Sequence, residues 1–421
     1  MAKAIDRGLE NREIVLGILT EVLDKGNFVH LVLNQALSKY QYLEKPDRAF
    51  ITRVTEGTLE YLLQIDFIIN SYSKTKTEKM KPLIRNILRM SVYQLLYMDR
   101  VPDSAVCNEA VKVAAKRGFV NLKGFVNGVL RTISRNREDI QLPDKTDMVT
   151  YLSIVYSLPE WLVKQWLAVY DADTVETMGK AFLENKKTTI RKSPKAGETT
   201  EFVKRLETEG VIVEPETQMK DVFYISGYDY LEKLQTFRNG EFYVQDISSM
   251  QVAEWADPKA GDVIIDVCAA PGGKSIHLAE KLDGTGMVEA RDLTEYKVEL
   301  LQENIERSGL TNICARVQDA TVKDPESVGN ADIVIADLPC SGLGILGRKP
   351  DLRYKMTPMM QEELVKLQRE ILKVVCEYVK PGGKLLYSTC TIHKAENEDN
   401  TAWFQKEHPE FHLQKEKQIL P

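Results

Sequence analysis

In residues 13–24, E-I-V-L-G-I-L-T-E-V-L-D, the apolar side chains Val15, Ile18, Leu19, Val22 and Leu23 recur every three or four positions, and Gly26 follows as a stop signal. That spacing predicts an amphipathic helix. Similar faces run through 54–69, 83–97, 106–115 and 122–133, with turn signals such as Val101-Pro102-Asp103 between them. Short links between amphipathic helices predict a compact all-α bundle over 1–135. The polar, proline-bearing stretch 136–150 reads as a linker.

Further helices are expected at 151–185, around Trp161 and Trp166. Residues 187–230 then mix β-like runs (T-T-I-R, V-I-V, V-F-Y-I) with the helix-like F-V-K-R-L, which predicts a small α+β subdomain closing a 151–239 region. From 240 to 421 strands alternate with helices. The strands are expected at 263–267, 287–290, 313–317, 333–337 and 384–389, and the helices at 274–282, 295–307 and 359–379. This alternation predicts a multidomain chain ending in an α/β, Rossmann-like, mostly parallel sheet. Ligands of such sheets bind beyond the carboxyl ends of the strands, so those positions deserve the closest reading.

Composition changes this picture little. The 421 residues, 43% hydrophobic and 28% charged, exceed one compact core and predict two or three domains. No apolar run reaches membrane-spanning length, and the start M-A-K-A-I-D-R-G-L-E lacks a signal peptide's apolar centre, so no membrane partner is expected. The six cysteines (107, 268, 314, 340, 376, 390) are scattered, which points to a reducing cytoplasm. The histidines at 30, 277, 393, 408 and 412 do not join them at ligand spacing, so no metal is expected. Charge matters more. The net charge is −6, yet residues 1–135 hold 21 Lys and Arg against 14 Asp and Glu. A basic first third suits phosphate binding, although a solvated helical surface would look the same.

After the first strand comes Cys268-Ala269-Ala270-Pro271-Gly272-Gly273-Lys274. It ends like a phosphate-binding P-loop, but Cys268 stands where the first glycine belongs, and Ala270 and Pro271 also break a dinucleotide fingerprint. Asp292 follows the second strand, where ribose hydroxyls are held in nucleoside-binding sheets. Asp292-Leu-Thr-Glu295 equally resembles a helix capping box. Asp319 follows the third strand and reads either as a base-side contact or as a turn residue. A-D-L-P-C-S-G-L-G (336–344) and S-T-C-T (388–391) follow the fourth and fifth strands. They place Cys340 and Cys390 at neighbouring strand ends among small polar residues, unlike the packing role expected of Cys107, Cys314 and Cys376.

The strings C-A-A-P-G-G-K, D-L-P-C-S-G-L-G, Y-S-T-C-T and Q-D-I-S-S (245–249) resemble the S-adenosylmethionine-dependent RNA cytosine-C5 methyltransferases of the Sun family. Y-Q-L-L-Y (93–97), V-P-D-S-A-V-C-N-E-A-V (101–111) and G-F-V-N-G-V-L-R (124–131) are similar to a NusB-type RNA-binding domain. The resemblance spans essentially the whole chain. It implies that residues 268–274 form the cofactor loop for S-adenosyl-L-methionine, that Asp292 binds the ribose, and that Asp319 lies by the adenine. Asp337 would sit between cofactor and base, Cys390 would be the nucleophile, and Cys340 would assist release. The implied substrate is 16S ribosomal RNA at cytosine-967, naked or in a small-subunit assembly intermediate, acted on by a monomer.

That chemistry accounts for two cysteines. Cytosine C5 attacks a methyl group poorly until a thiolate adds to C6, and a base must later remove the C5 proton. The base must also leave its stack to reach both sulfurs. Basic residues with an aromatic in G-R-K-P-D-L-R-Y-K (347–355), namely Arg348, Lys349, Arg353, Tyr354 and Lys355, are expected to meet RNA. So are Lys186, Lys187 and Arg191, which form a local basic cluster with Lys192, against a solvated-surface reading. The family's domain normally adds an antiparallel strand after its final helix, and K-E-K-Q-I-L-P holds none, so a truncated sequence is one expectation. Two other functions remain open: an RNA-binding ribosome assembly factor that keeps the pocket without turnover, and a DNA cytosine methyltransferase, in which Cys340 would attack.

Overall fold

A computed structural model describes residues 6–40, 42–184 and 187–421. The chain divides into two compact units, one reaching to Glu184 and including Ile345–Met356, the other holding 185–344 and 357–420. The chain therefore leaves the second unit after Gly344, contributes twelve residues to the first, and returns at Thr357.

The first unit is helical. Helices Arg7–Leu23, Lys45–Glu60, Leu62–Tyr72, Pro82–Tyr97, Asp103–Lys116 and Lys123–Arg135 bury the faces that the periodicity marks. Val15, Leu19, Ile65, Ile87, Val113 and Leu130 are among their fully covered side chains. The expected 54–69 helix is two helices. Tyr61, at φ −106° and ψ 18°, breaks the run, and its ring stacks on Tyr97 at 4.1 Å. The unit continues past 136–150 through helices Met148–Val155, Glu160–Leu167 and Ala172–Leu183.

The second unit contains two sheets. Strands β1 (Thr188–Lys192), β2 (Ile212–Pro215), β3 (Val222–Ser226) and β4 (Phe242–Val244) form an antiparallel sheet in the order β2-β3-β1-β4. Helix Thr199–Thr208 covers it through Phe202 and Leu206. Strands β5 (Val263–Asp266), β6 (Met287–Asp292), β7 (Ile313–Val317), β8 (Ala331–Asp337) and β9 (Val379–Ser388) form a parallel sheet in the order β7-β6-β5-β8-β9. The chain order reverses between β5 and β8, so the switch point lies beyond Asp266 and Asp337. Apolar residues cover both faces: Ile264, Val288 and Ile335 on one, Ile265, Val334 and Ala336 on the other. Among the described residues no strand pairs with the outer edge of β9.

Candidate active site

The carboxyl ends of β5, β6, β8 and β9 carry the expected cofactor-loop residues, Asp292, Asp337, Cys340 and Cys390. Beyond β5 the chain turns sharply, with Gly272 at φ +106° leading into helix Gly273–Lys281. A side chain at 272 would be strained there and would meet Leu301 at 3.1 Å, so glycine is required. The turn is fixed from behind by Ala269 N–H to the Arg291 carbonyl (2.8 Å) and Gly272 N–H to the Ala269 carbonyl (2.8 Å). Asn304 Nδ2 donates to the Pro271 carbonyl at 2.9 Å. Cys268 lies inside this turn, and burial pushes its thiol up. Beneath it, Asp266 is fully buried; its Oδ2 accepts from Ser275 Oγ at 2.6 Å, and its Oδ1 has no partner.

Asp292 is also buried. Its Oδ2 accepts from Ala270 N–H at 3.0 Å, while Oδ1 accepts from Leu293 N–H (2.8 Å) and Lys297 Nζ (2.9 Å). The following helix is capped by Thr294, not Asp292, so the capping-box reading of Asp292 fails. Asp319 makes a local turn, its Oδ1 accepting from Thr321 N–H and Oγ at 2.9 and 2.7 Å.

Lys274 Nζ reaches across to Asp337 Oδ2 at 2.6 Å, and Ser388 Oγ donates to Asp337 Oδ1 at 2.7 Å. Burial opposes the Lys274 charge. The Asp337 carboxylate outweighs it, aided by Asp266 and Cys390, and holds the ammonium above its ordinary value. Cys340 Sγ lies 3.3 Å from Cys390 Sγ and accepts from Cys390 N–H at 3.3 Å. Cys390 is exposed and Cys340 half-buried. The Cys340 thiol is pushed well above the usual cysteine range, first by its hydrogen bond to Cys390, then by burial and by charge on Cys390.

The expected RNA contacts separate. Arg348 and Lys349 are exposed. Arg353 is not: it is fully covered inside the helical unit, donating to the carbonyls of Glu60, Tyr156, Ser157 and Leu346 at 3.2–3.3 Å. Tyr354 Oη donates to the Leu59 carbonyl at 2.8 Å, and Lys355 pairs with Asp351 at 2.8 Å. Arg191 is buried against Glu280 and Gln245, and Lys192 donates to the Gly197 carbonyl at 2.8 Å. Lys187 is exposed beside Glu214, and Lys186 lies outside the described residues. Arg353 and Arg191 are thus corrected from RNA contacts to buried structural cations.

Two residues were missed. Glu396 is fully covered, and its carboxylate accepts from Ser341 N–H at 2.9 Å and Gln368 Nε2 at 3.0 Å. Asn397 holds Thr389 Oγ at 2.6 Å and the Thr391 carbonyl at 2.9 Å. They sit in the polar run H-K-A-E-N-E-D-N, which reads as a solvated turn. The signal was the cluster of small hydroxyl residues beside both cysteines, whose side chains needed partners.

Residues 253–419 match the family 16S rRNA methyltransferase RsmB/F, and residues 9–135 match the NusB family. A Bacillus subtilis protein named probable ribosomal RNA small subunit methyltransferase B is 37% identical over 95% of this chain and 89% of its own length. The chain belongs to the RsmB/F family. A further family member, ribosomal RNA small subunit methyltransferase B of Serratia proteamaculans, is 30% identical over 96% of this chain and 91% of its own. The crystal structure of PH0851 superposes with a TM-score of 0.79 at 26% identity, over 96% of this chain and 90% of that one. NSun6 from Pyrococcus horikoshii, solved with SFG, shares the fold at a TM-score of 0.54 and 22% identity, over 60% of this chain and 88% of that one. Membership makes this protein a methyltransferase. Among the described residues no helix is long and apolar enough to cross a membrane, and no group of His, Cys, Asp and Glu could hold a metal.

Proposed function

We propose that the protein transfers a methyl group from S-adenosyl-L-methionine to C5 of one cytosine in 16S ribosomal RNA, the cytosine-967 site. In this reading Cys390 is the attacking sulfur and Cys340 frees the product. The inequality of the two thiols carries the assignment. Cys390 is exposed, whereas Cys340 is the better covered and its proton is held tightly by its neighbour. Of two sulfurs 3.3 Å apart, ionising one opposes ionising the other, and we assign the thiolate to the more exposed Cys390.

The residues at the strand ends fit the cofactor. A side chain at 272 would fill the turn, and buried Asp292 presents a carboxylate where ribose hydroxyls are held. Residues 268–274 and Asp292 would hold it, with Asp319 toward the adenine. When bound, S-adenosylmethionine supplies a methyl group made electrophilic by a cationic sulfur.

The chain's own residues do the rest. Cys390 Sγ forms a bond to C6, and the C5=C6 electron pair becomes available at C5. Asp337, paired with the Lys274 ammonium, is suited to accept from the ring's exocyclic amine. Once Cys390 is a thioether its charge is gone, so Cys340 gives up its proton to solvent and can act as a base. With the C5 electron pair now holding the transferred methyl group, Cys340 takes the C5 proton; the C5–H electrons restore C5=C6, and the S–C6 bond breaks to return Cys390 as thiolate. The helical unit, through 1–135, is assigned to RNA, with Arg348 and Lys349 as its exposed cations from the loop. The protein acts as a cytoplasmic monomer on free RNA or a small-subunit assembly intermediate.

The test uses 16S RNA carrying 5-fluorocytidine, with cofactor. Cys390→Ala should abolish the covalent adduct, and Cys340→Ala should accumulate one on unmodified RNA. The reverse pattern would move the nucleophile to Cys340. Methyl transfer confined to DNA would overturn the substrate, and no transfer by the intact protein would favour an assembly factor without turnover.

A further inference from the structure

The two cysteines stand on separate loops, and neither loop is held by the sheet alone. Glu396 and Asn397 are consecutive residues, yet each serves a different loop. Glu396 serves the Cys340 loop: Oε2 accepts from Ser341 N–H at 2.9 Å, and Oε1 accepts from Ser341 Oγ. Gln368 Nε2 bridges Glu396 Oε2 (3.0 Å) and the Pro339 carbonyl (2.8 Å), so residues on both sides of Cys340 are tied to this carboxylate. Asn397 serves the Cys390 loop: it accepts from Thr389 Oγ at 2.6 Å and donates to the Thr391 carbonyl at 2.9 Å, again on both sides of the cysteine. Thr391 Oγ lies 2.7 Å from Ser341 Oγ and closes the two halves together.

The direction of these bonds is forced. A carboxylate only accepts, so Ser341 Oγ spends its proton on Glu396 and must itself accept from Thr391 Oγ. Thr391 Oγ is then the acceptor for His393 N–H at 3.2 Å. A fully buried carboxylate is expensive unless several donors meet it, and here Ser341 (twice), Gln368 and His393 do so. Hydrogen bonds from His393, Ser341 and Gln368 outweigh the burial and keep Glu396 below its ordinary range. Glu396 meets the Cys340 loop through Ser341, so it positions and does not react.

We propose that Glu396 and Asn397 form a positioning pair in which each residue chiefly holds one sulfur's loop, Asn397 aiming Cys390 for attack and Glu396 aiming Cys340 for release, with the Ser341–Thr391 bond joining the two. The pair rests on the roles assigned above to the two cysteines. Its consequence is a division of labour that a uniform structural role lacks.

The experiment follows covalent adduct in single turnover on unmodified 16S RNA with cofactor, beside steady-state kcat and KM and a melting curve. Glu396→Gln turns one acceptor into a donor facing Ser341 N–H or Oγ. It should accumulate adduct and lower kcat by about 10–100-fold, the penalty of a misplaced reacting group, with KM for cofactor unchanged. Asn397→Ala should slow adduct formation by a similar factor and accumulate none. Ser341→Ala removes one donor without stranding the carboxylate and should reproduce the Glu396→Gln pattern more weakly, so it decides the matter if Glu396→Gln does not fold. The pair is overturned if Glu396→Gln or Ser341→Ala leaves adduct lifetime as in the wild type, or if all three variants lower formation and release equally. Cys390→Ala and Cys340→Ala run in parallel: if they fail to show loss and accumulation of adduct, it is the cysteine assignment that falls.

Discussion

Lys274 Nζ lies 2.6 Å from Asp337 Oδ2, joining the end of the β5 turn to the end of β8 directly beside the cysteine pair. Asp337, Asp266 and Cys390 all favour the charge of this ammonium. By reciprocity it favours a thiolate at Cys390. Lys274→Met should therefore shift the alkaline rise of the single-turnover rate to higher pH and lower the rate at pH 7 by about 10–100-fold, the scale on which a nearby opposite charge favours an ionised group. Alkylation of Cys390 followed against pH checks the same point. An unchanged profile would remove Lys274 from the activation of the sulfur.

Asp266 supplies a pH signature of folding. Burial, reinforced by the Asp337 charge and opposed by the Ser275 hydrogen bond, raises its carboxyl from 3.8 to about 7. The folded chain thus keeps a proton that the unfolded chain releases. The contribution to stability is complete below pH 4 and declines as pH rises toward 7, flat thereafter. Asp266→Asn keeps an acceptor for Ser275 and has no proton to lose. Its stability relative to the wild type should rise between pH 4 and 8 by an amount on the order of a few kcal/mol. Denaturation of both proteins without cofactor across that range measures it, and a constant difference would rule it out.

The parts legible in the sequence are those with a local rule. Alternating apolar runs located β5 to β9, and the rule that ligands sit beyond strand ends singled out Asp292, Asp337, Cys340 and Cys390. Misreadings came from residues whose partners are distant in sequence. Arg353 looks like a solvated loop cation, but its carbonyl partners at Glu60, Tyr156 and Ser157 lie some 200 to 300 positions away. Arg191 is taken by Glu280 in the same way. Glu396 was invisible because a charge between Ala395 and Asn397, in a run of polar residues, carries no local sign of complete burial.

Arg353 makes opposite predictions under the two readings. As an RNA contact, Arg353→Lys would spare stability and weaken binding. As a buried cation spread over four carbonyls, it cannot be replaced by an ammonium that reaches fewer of them. Arg353→Lys should cost roughly 2–4 kcal/mol, combining lost hydrogen bonds with unsatisfied carbonyls. Chemical denaturation of the full chain tests this. Unaltered stability together with weakened RNA binding would restore the RNA-contact reading.

Gly344 separates local geometry from general stability. It is the last residue before the chain passes to the helical unit, and its N–H donates to the Cys390 carbonyl at 3.1 Å. A Cβ there would stand 2.9 Å from that carbonyl oxygen and 3.4 Å from its carbon. Both obstacles are backbone, so the strain cannot be relieved by rotating a side chain; the Cys390 loop itself must move. Gly344→Ala should therefore slow adduct formation about 10–100-fold and cost roughly 1–3 kcal/mol as overpacking. Gly128, inside helix Lys123–Arg135 with nothing within 4 Å of its would-be Cβ, is the contrasting case. Gly128→Ala should stabilise by up to about 1 kcal/mol through helix propensity and leave adduct formation untouched. Equal adduct rates in Gly344→Ala and the wild type would mean that the Cys390 loop tolerates the displacement, and that its position is set elsewhere.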